Sequence, residues 1–94
     1  CLKASSHVAS LLGKPECYVM VSLQANLHMS FAGDAAPCAS LQLKSLGLPG
    51  QQTSEFSASL CVFLQQQTGI PTARIYIEFS DPERHMWGWD RRTF

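Results

Sequence analysis

Apolar and polar positions follow two spacings along this chain, and the change from one to the other happens twice. Residues 1–12 place Ala4, Val8, Leu11 and Leu12 on one helical stripe, with Lys3, Ser6, His7 and Ser10 opposite. Gly13 and Pro15 close that helix: glycine suits the left-handed position past a helix end, and proline stops continuation. From Cys17 to Leu23 the period falls to two, with Val19, Val21 and Leu23 on one side and Met20 and Ser22 on the other. Further on, Thr53 or Ser54 is placed to cap a second helix, and Glu55 suits its positive end. Phe56, Leu60, Phe63 and Leu64 recur there at core-facing helical spacing. Gly69 and Pro71 end this helix, and Arg74–Phe79 alternates Ile75, Ile77 and Phe79 against Tyr76 and Glu78. Aligned on their glycines, Gly13–Leu23 and Gly69–Phe79 are two copies of one plan.

Between the copies, Ala25 to Ala36 is rich in turn formers (Asn26, Gly33, Asp34), with an apolar insert Met29-Ser30-Phe31. Pro37 opens another strand, Cys38 to Leu46, setting Cys38, Ser40, Gln42, Lys44 and Leu46 against Ala39, Leu41, Leu43 and Ser45; Gly47–Gln52 is a loop. The second half is thus strand, helix, strand, a βαβ unit whose strands run parallel. The first half shows helix then strand only, so the repeat leads one to expect a strand ahead of residue 1. The expected architecture is a single α/β domain over residues 1–94. It has two βαβ pseudo-repeats with the first strand missing, and both helices on one face of a four-stranded core sheet. After Asp81-Pro82 the tail alternates briefly over Met86-Trp87-Gly88-Trp89 and closes with Arg91-Arg92-Thr93-Phe94.

Composition narrows the function. With 94 residues the domain buries little surface by itself, which favours an oligomer. Formal net charge is zero and only 15% of residues are charged, so no basic field exists to hold nucleic acid. No apolar run approaches a membrane span, and no signal peptide is expected in residues 1–94. The expected location is cytoplasmic, or organellar if a removed N-terminal segment is a transit peptide. Cys1, Cys17, Cys38 and Cys61 contain no C-x-x-C pair and are expected as reduced, buried thiols. His7, His28 and His85 share no ligand spacing with each other or with the cysteines, so neither a metal nor another cofactor is expected.

The run Leu12-Gly13-Lys14-Pro15-Glu16 with Tyr18-Val19-Met20 resembles the macrophage migration inhibitory factor family of the tautomerase superfamily. Met29-Ser30-Phe31 with Gly33, Pro37-Cys38-Ala39, Ser45-Leu46-Gly47 and Arg74-Ile75-Tyr76-Ile77 agree with it in order and spacing. Trp87-Gly88-Trp89 with Thr93-Phe94 is similar to the family's C-terminus, so the resemblance spans essentially the whole chain. It implies a homotrimer of repeated βαβ units, in which an N-terminal proline starts the first strand. That proline's secondary amine is the general base for keto–enol tautomerisation of phenylpyruvate-type substrates. Such chemistry needs an amine that titrates near working pH, a cation for the substrate carboxylate and an apolar wall for its ring.

Carried over by position, the resemblance implies that Lys14 lies on the substrate side, with Tyr18, Ser45 and Leu46 in the pocket of the same subunit. Tyr76 matches a tyrosine entering from the neighbouring subunit, and Trp87, Trp89 and Phe94 match the aromatic side of the pocket. The departures are specific. Residue 1 is Cys1, which aligns to the first helix, so the catalytic proline has no counterpart and residues 1–94 are expected to be inactive by themselves. Glu78 stands where animal members commonly carry asparagine and would repel a carboxylate substrate. Cys38-Ala39-Ser40-Leu41 lacks the second cysteine that some members use for thiol chemistry, and Asp90-Arg91-Arg92 replaces a small polar turn.

Each of these residues also has a plainer role. Lys14 can be a solvated turn lysine, and Tyr76 and Glu78 an exposed or subunit-facing strand surface. Trp87 and Trp89 suit a subunit contact better than a ligand site, because tryptophan is enriched at buried interfaces. Two functions follow: a tautomerase-family enzyme acting on an aryl-pyruvate-type small molecule, or a non-catalytic interaction subunit that keeps the fold within a larger assembly.

Overall fold

The computed structural model describes residues 1–25 and 27–94, and the repeated plan is present in its backbone angles. Asn26, expected in the turn-rich stretch, lies outside the described residues. Helix α1 (Leu2–Leu12) ends at Gly13 with φ 65°, and helix α2 (Thr53–Thr68) ends at Gly69 with φ 77°. Both glycines occupy the left-handed region that other residues adopt at a steric cost. Pro15 (φ −59°, ψ 137°) and Pro71 (φ −60°, ψ 140°) then fix the same extended step. Each is followed by one 3₁₀ turn, Glu16–Tyr18 or Thr72–Arg74, and by an extended residue, Val19 or Ile75. The copies differ in how they satisfy the last helical carbonyls. In the first, Lys14 N–H donates to Ala9 O at 3.0 Å; in the second, the Thr68 hydroxyl donates to Leu64 O at 2.6 Å.

Strand β1 (Ala39–Lys44) pairs in parallel with β2 (Ile75–Ser80), Ala39 opposite Ile75 and Lys44 opposite Ser80, with α2 as the crossover. The βαβ unit expected for the second half is therefore present. Alternation holds along β1: Ala39, Leu41 and Leu43 are half-buried while Ser40, Gln42 and Lys44 face solvent. A hairpin of β3 (Gly88–Trp89) and β4 (Arg92–Thr93) closes the chain.

The four-stranded sheet does not form among the described residues, where the strands make one parallel pair and one short hairpin. Cys17–Leu23 is not a strand: its start lies in the 3₁₀ turn, and residues 19–23 enter no ladder. A strand is stabilised by hydrogen bonds to a neighbour, and this stretch has no ladder partner among the described residues. Its alternation survives in part. Val19 and Val21 are half-buried and Met20 is 94% exposed, yet Leu23, expected on the apolar side, is exposed.

Three smaller expectations also change. Neither Thr53 nor Ser54 caps α2; Thr53 is its first helical residue and donates through Oγ1 to Gly50 O at 3.1 Å. His7, placed on the polar side of α1, instead stacks on Phe63 with ring centroids 4.5 Å apart and shares a 3.1 Å hydrogen bond with Ser59. A helix as short as α1 gains its stability from such packing, and His7 joins it to α2. All four cysteines are free thiols, but Cys1 and Cys17 are exposed and Cys38 and Cys61 half-buried, so burial fails for the first two.

The core is thin. Among the described residues, Ala9, Leu48, Phe56, Leu60 and Ile75 are the buried apolar ones, and no side chain is wholly enclosed. The accessible surface is 7076 Å² for a 10.4 kDa chain. Size scaling assigns a folded monomer of that mass about 5,400 Å². The radius of gyration, 14.4 Å, likewise exceeds the roughly 12 Å of a compact domain of this length. Among the described residues no helix is long and apolar enough to cross a membrane.

Candidate functional site

Parallel strands bring their carboxyl ends to one edge, where open α/β sheets bind ligands. Here that edge is Lys44 of β1 with Ser45 and Leu46 just after it, and Ser80 of β2 with Asp81 just after it. Ser45 N–H extends the ladder by donating to Ser80 O at 3.0 Å. Gly47, at φ 69°, turns the chain away, and its N–H donates to Asp81 Oδ1 at 2.9 Å. The capping turn after α1 delivers Lys14 to the same place: its Nζ donates to Leu46 O at 2.6 Å and is half-buried. Lys14 lies just beyond the carboxyl end of α1, where the helix dipole favours a cation. One ammonium donor is committed to Leu46 and two remain for a ligand.

Ser45 is 6% exposed, and its Oγ is buried with no hydrogen-bond partner among the described residues. A buried hydroxyl left unsatisfied costs about 1–3 kcal/mol. Lys14, Ser45 and Leu46, three of the residues expected in a pocket, thus form one cluster containing a fixed cation and an unpaired hydroxyl.

Of the other expected residues, Tyr76 lies near the opposite end of β2 from this edge. Tyr76 pairs with Ser40, four residues before the Lys44–Ser80 pair, which puts it about 13 Å from the Lys14 edge at 3.3 Å per residue. It is 68% exposed and meets Phe31 edge-on, with ring centroids 4.7 Å apart. Glu78, opposite Gln42, is exposed on the sheet, and Tyr18 is 66% exposed after α1. Trp89 stacks on Phe94 with centroids 6.1 Å apart in the terminal hairpin, while Arg92 lies 4.9 Å over the Trp89 ring. Trp87 is half-buried, and its carbonyl accepts from Phe94 N–H at 3.2 Å. A single chain therefore keeps the Lys14 cation and the Tyr76 ring apart along the sheet.

Two open hollows along residues 24–38, of about 450 and 150 Å³, are lined by none of the expected residues. Among the described residues no group of three His, Cys, Asp or Glu side chains could hold a metal ion. Two contributors escape sequence reasoning. Asp81 reads as half of an Asp-Pro turn, yet its carboxylate anchors the loop on which Lys14 rests. Phe31, part of a short apolar insert, is the residue that packs on Tyr76.

A family model for macrophage migration inhibitory factor (MIF) matches residues 1–94. A macrophage migration inhibitory factor homolog of Brugia malayi is 40% identical over 93 residues, covering 98% of this chain and 81% of that protein. The macrophage migration inhibitory factor of Xenopus tropicalis is 36% identical over 88 residues, covering 93% and 76% respectively. Among solved structures, the macrophage migration inhibitory factor homologue from Prochlorococcus marinus is similar at TM-score 0.91 and 45% identity. It covers 99% of this chain and 82% of that one.

Proposed function

This chain belongs to the macrophage migration inhibitory factor family of the tautomerase superfamily, and we propose that it forms keto–enol tautomerase sites shared between neighbouring subunits of a homotrimer. The observation that carries this reading is the separation of Lys14 from Tyr76 by the length of the sheet, with Tyr76 facing outward. A pocket needing a cation and an aromatic wall is completed when Tyr76 of one subunit meets Lys14, Ser45 and Leu46 of the next. The accessible surface supports the same reading. It exceeds the monomer expectation by about 1,700 Å², close to two contacts of standard size at about 800 Å² per partner. A closed three-membered ring gives each subunit two such contacts.

In this arrangement the Lys14 ammonium binds the carboxylate of a phenylpyruvate-type substrate, and Tyr76 with Trp89 and Phe94 covers its ring. Tyr18 and Trp87 border the pocket, and Glu78 disfavours the carboxylate. The base that moves the proton between carbon and oxygen is not supplied by residues 1–94, in which residue 1 is Cys1 and the first proline is Pro15. Losing a proton-transfer group lowers a rate by about 10² to 10⁴.

A second reading, a non-catalytic subunit using the same surfaces for partners, is favoured by the exposed apolar residues Leu2, Met20 and Met86, which no pocket role explains. Enol absorbance with phenylpyruvate separates the two. Residues 1–94 should be silent, and a chain extended by a proline-initiated first strand should turn over. In the extended chain Glu78→Asn should lower the KM. An extended chain that assembles yet stays silent overturns the enzyme reading in favour of the second.

A further inference from the structure

Arg74 makes more directed contacts than any other side chain described. Nε donates to Pro37 O at 3.0 Å and Nη1 to Phe31 O at 3.3 Å, while Nη2 donates to Asp34 O and Ala36 O, both at 3.0 Å. Four of the five guanidinium N–H groups are thereby used on backbone carbonyls, all within residues 31–37. No carboxylate pairs with it among the described residues, so its charge is balanced by oriented carbonyl dipoles. The segment it holds is a tight reversal. Phe31 and Asp34 exchange backbone hydrogen bonds at 2.9 and 3.0 Å across Ala32 and Gly33, both at positive φ. The guanidinium carbon also lies 5.3 Å from the centroid of the Phe31 ring. That ring is the one meeting Tyr76 edge-on, at 4.7 Å and 64°.

We propose that Arg74 is a positioning residue for Tyr76, acting through Phe31. Tyr76 is 68% exposed, so little else restrains its ring, and an unrestrained ring is a poor wall for an aromatic ligand. Arg74 fixes the Phe31 backbone through its carbonyl and the Phe31 ring through its cation. Phe31 then holds the Tyr76 ring in one orientation ready for a substrate. A lysine cannot replace it, because a single ammonium cannot span four carbonyls in the planar fork that a guanidinium provides. The role in ligand binding rests on the reading of Tyr76 as a pocket residue; the Arg74–Phe31–Tyr76 chain of contacts does not.

The test uses the chain labelled with 3-fluorotyrosine, whose only tyrosines are Tyr18 and Tyr76. Tyr18→Phe assigns the two fluorine resonances, and Tyr18 serves as the internal reference. The Tyr76 line should sit away from the free amino acid, displaced by the Phe31 ring. Arg74→Lys, Arg74→Gln and Phe31→Leu should each return most of that displacement, and the Arg74→Lys/Phe31→Leu double variant should return no more than either alone. A Tyr76 line that moves with Phe31→Leu but not with either Arg74 variant overturns the proposal. So does an equal movement of Tyr18, which marks a general loosening.

Titration with phenylpyruvate forms the second arm. Arg74→Lys should weaken binding about 2- to 12-fold, the range of one aromatic pair, and Phe31→Leu equally. Pyruvate, which lacks the ring, should be unaffected. If the unsubstituted chain binds no phenylpyruvate, the pocket reading fails while the fluorine spectra still decide the role of Arg74.

Discussion

Replacing Lys14 with methionine keeps an unbranched apolar stem and removes the ammonium that donates to Leu46 O at 2.6 Å. Sequence alone gives this lysine no structural duty, and the structure gives it one. A hydrogen bond to a charged group contributes about 1.5–3 kcal/mol, and the partly open surroundings place this one near the lower end. Leu46 O then lacks its donor, while the methionine still packs through its stem. The expected loss is about 1.5 kcal/mol, or a melting temperature lower by about 6–12 °C for a domain of this size. Urea denaturation should show a midpoint lower by about 1 M for a slope near 1.5 kcal/mol per molar. Protein concentration must be held constant, because assembly adds its own term. Unchanged midpoints would refute the reasoning: the Lys14–Leu46 bond would then not persist in solution, and Lys14 would be a free surface cation.

Asp81→Ala should weaken phenylpyruvate binding by releasing Gly47 N–H and the loop under Lys14, whereas Asp81→Asn, which keeps an acceptor oxygen, should retain most of it; calorimetric titration distinguishes them. Arg91 holds φ 66° in the two-residue turn between β3 and β4, so Arg91→Gly should raise stability by about 0.5–1 kcal/mol in denaturant unfolding, since glycine enters that region without steric cost.

The second half of the chain was legible because its signals are local. Phe56 and Leu60 recur at helical spacing and are buried, and Ile75, Ile77 and Phe79 alternate as β2 does. Gly13-x-Pro15 and Gly69-x-Pro71 fix backbone angles by chemistry that the residue names disclose, and both glycines are left-handed. The first half was legible up to Pro15, since Cys17 and Tyr18, expected at the start of a strand, lie in the 3₁₀ turn. Beyond it, Val19–Leu23 has strand-like alternation, but strand formation depends on a partner that alternation cannot supply. His7 was misplaced for a related reason: imidazole reads as polar, yet its flat ring stacks on Phe63 and its nitrogen meets Ser59. Lys14 meets Leu46, beside Ser45, through the packing of the turn after α1 against the end of β1, a tertiary contact that the local patterns do not specify. Arg74 and Asp81 act on backbone groups, and backbone contacts leave no imprint on hydrophobic periodicity.

The central claim is that the cation and the aromatic wall of each site come from different subunits. Subunit mixing tests it directly, in the chain carrying a proline-initiated first strand. Lys14→Ala and Tyr76→Ala variants, each inactive alone, are unfolded together in equal amounts and refolded, and mass measurement confirms mixed assemblies. Sites built from Lys14 of one subunit and Tyr76 of its neighbour should recover about a quarter of the unsubstituted activity, the statistical share of intact pairs in a head-to-tail ring. Mixed assemblies as silent as the two parents would contradict the account, because they would place Lys14 and Tyr76 of every site in one and the same chain.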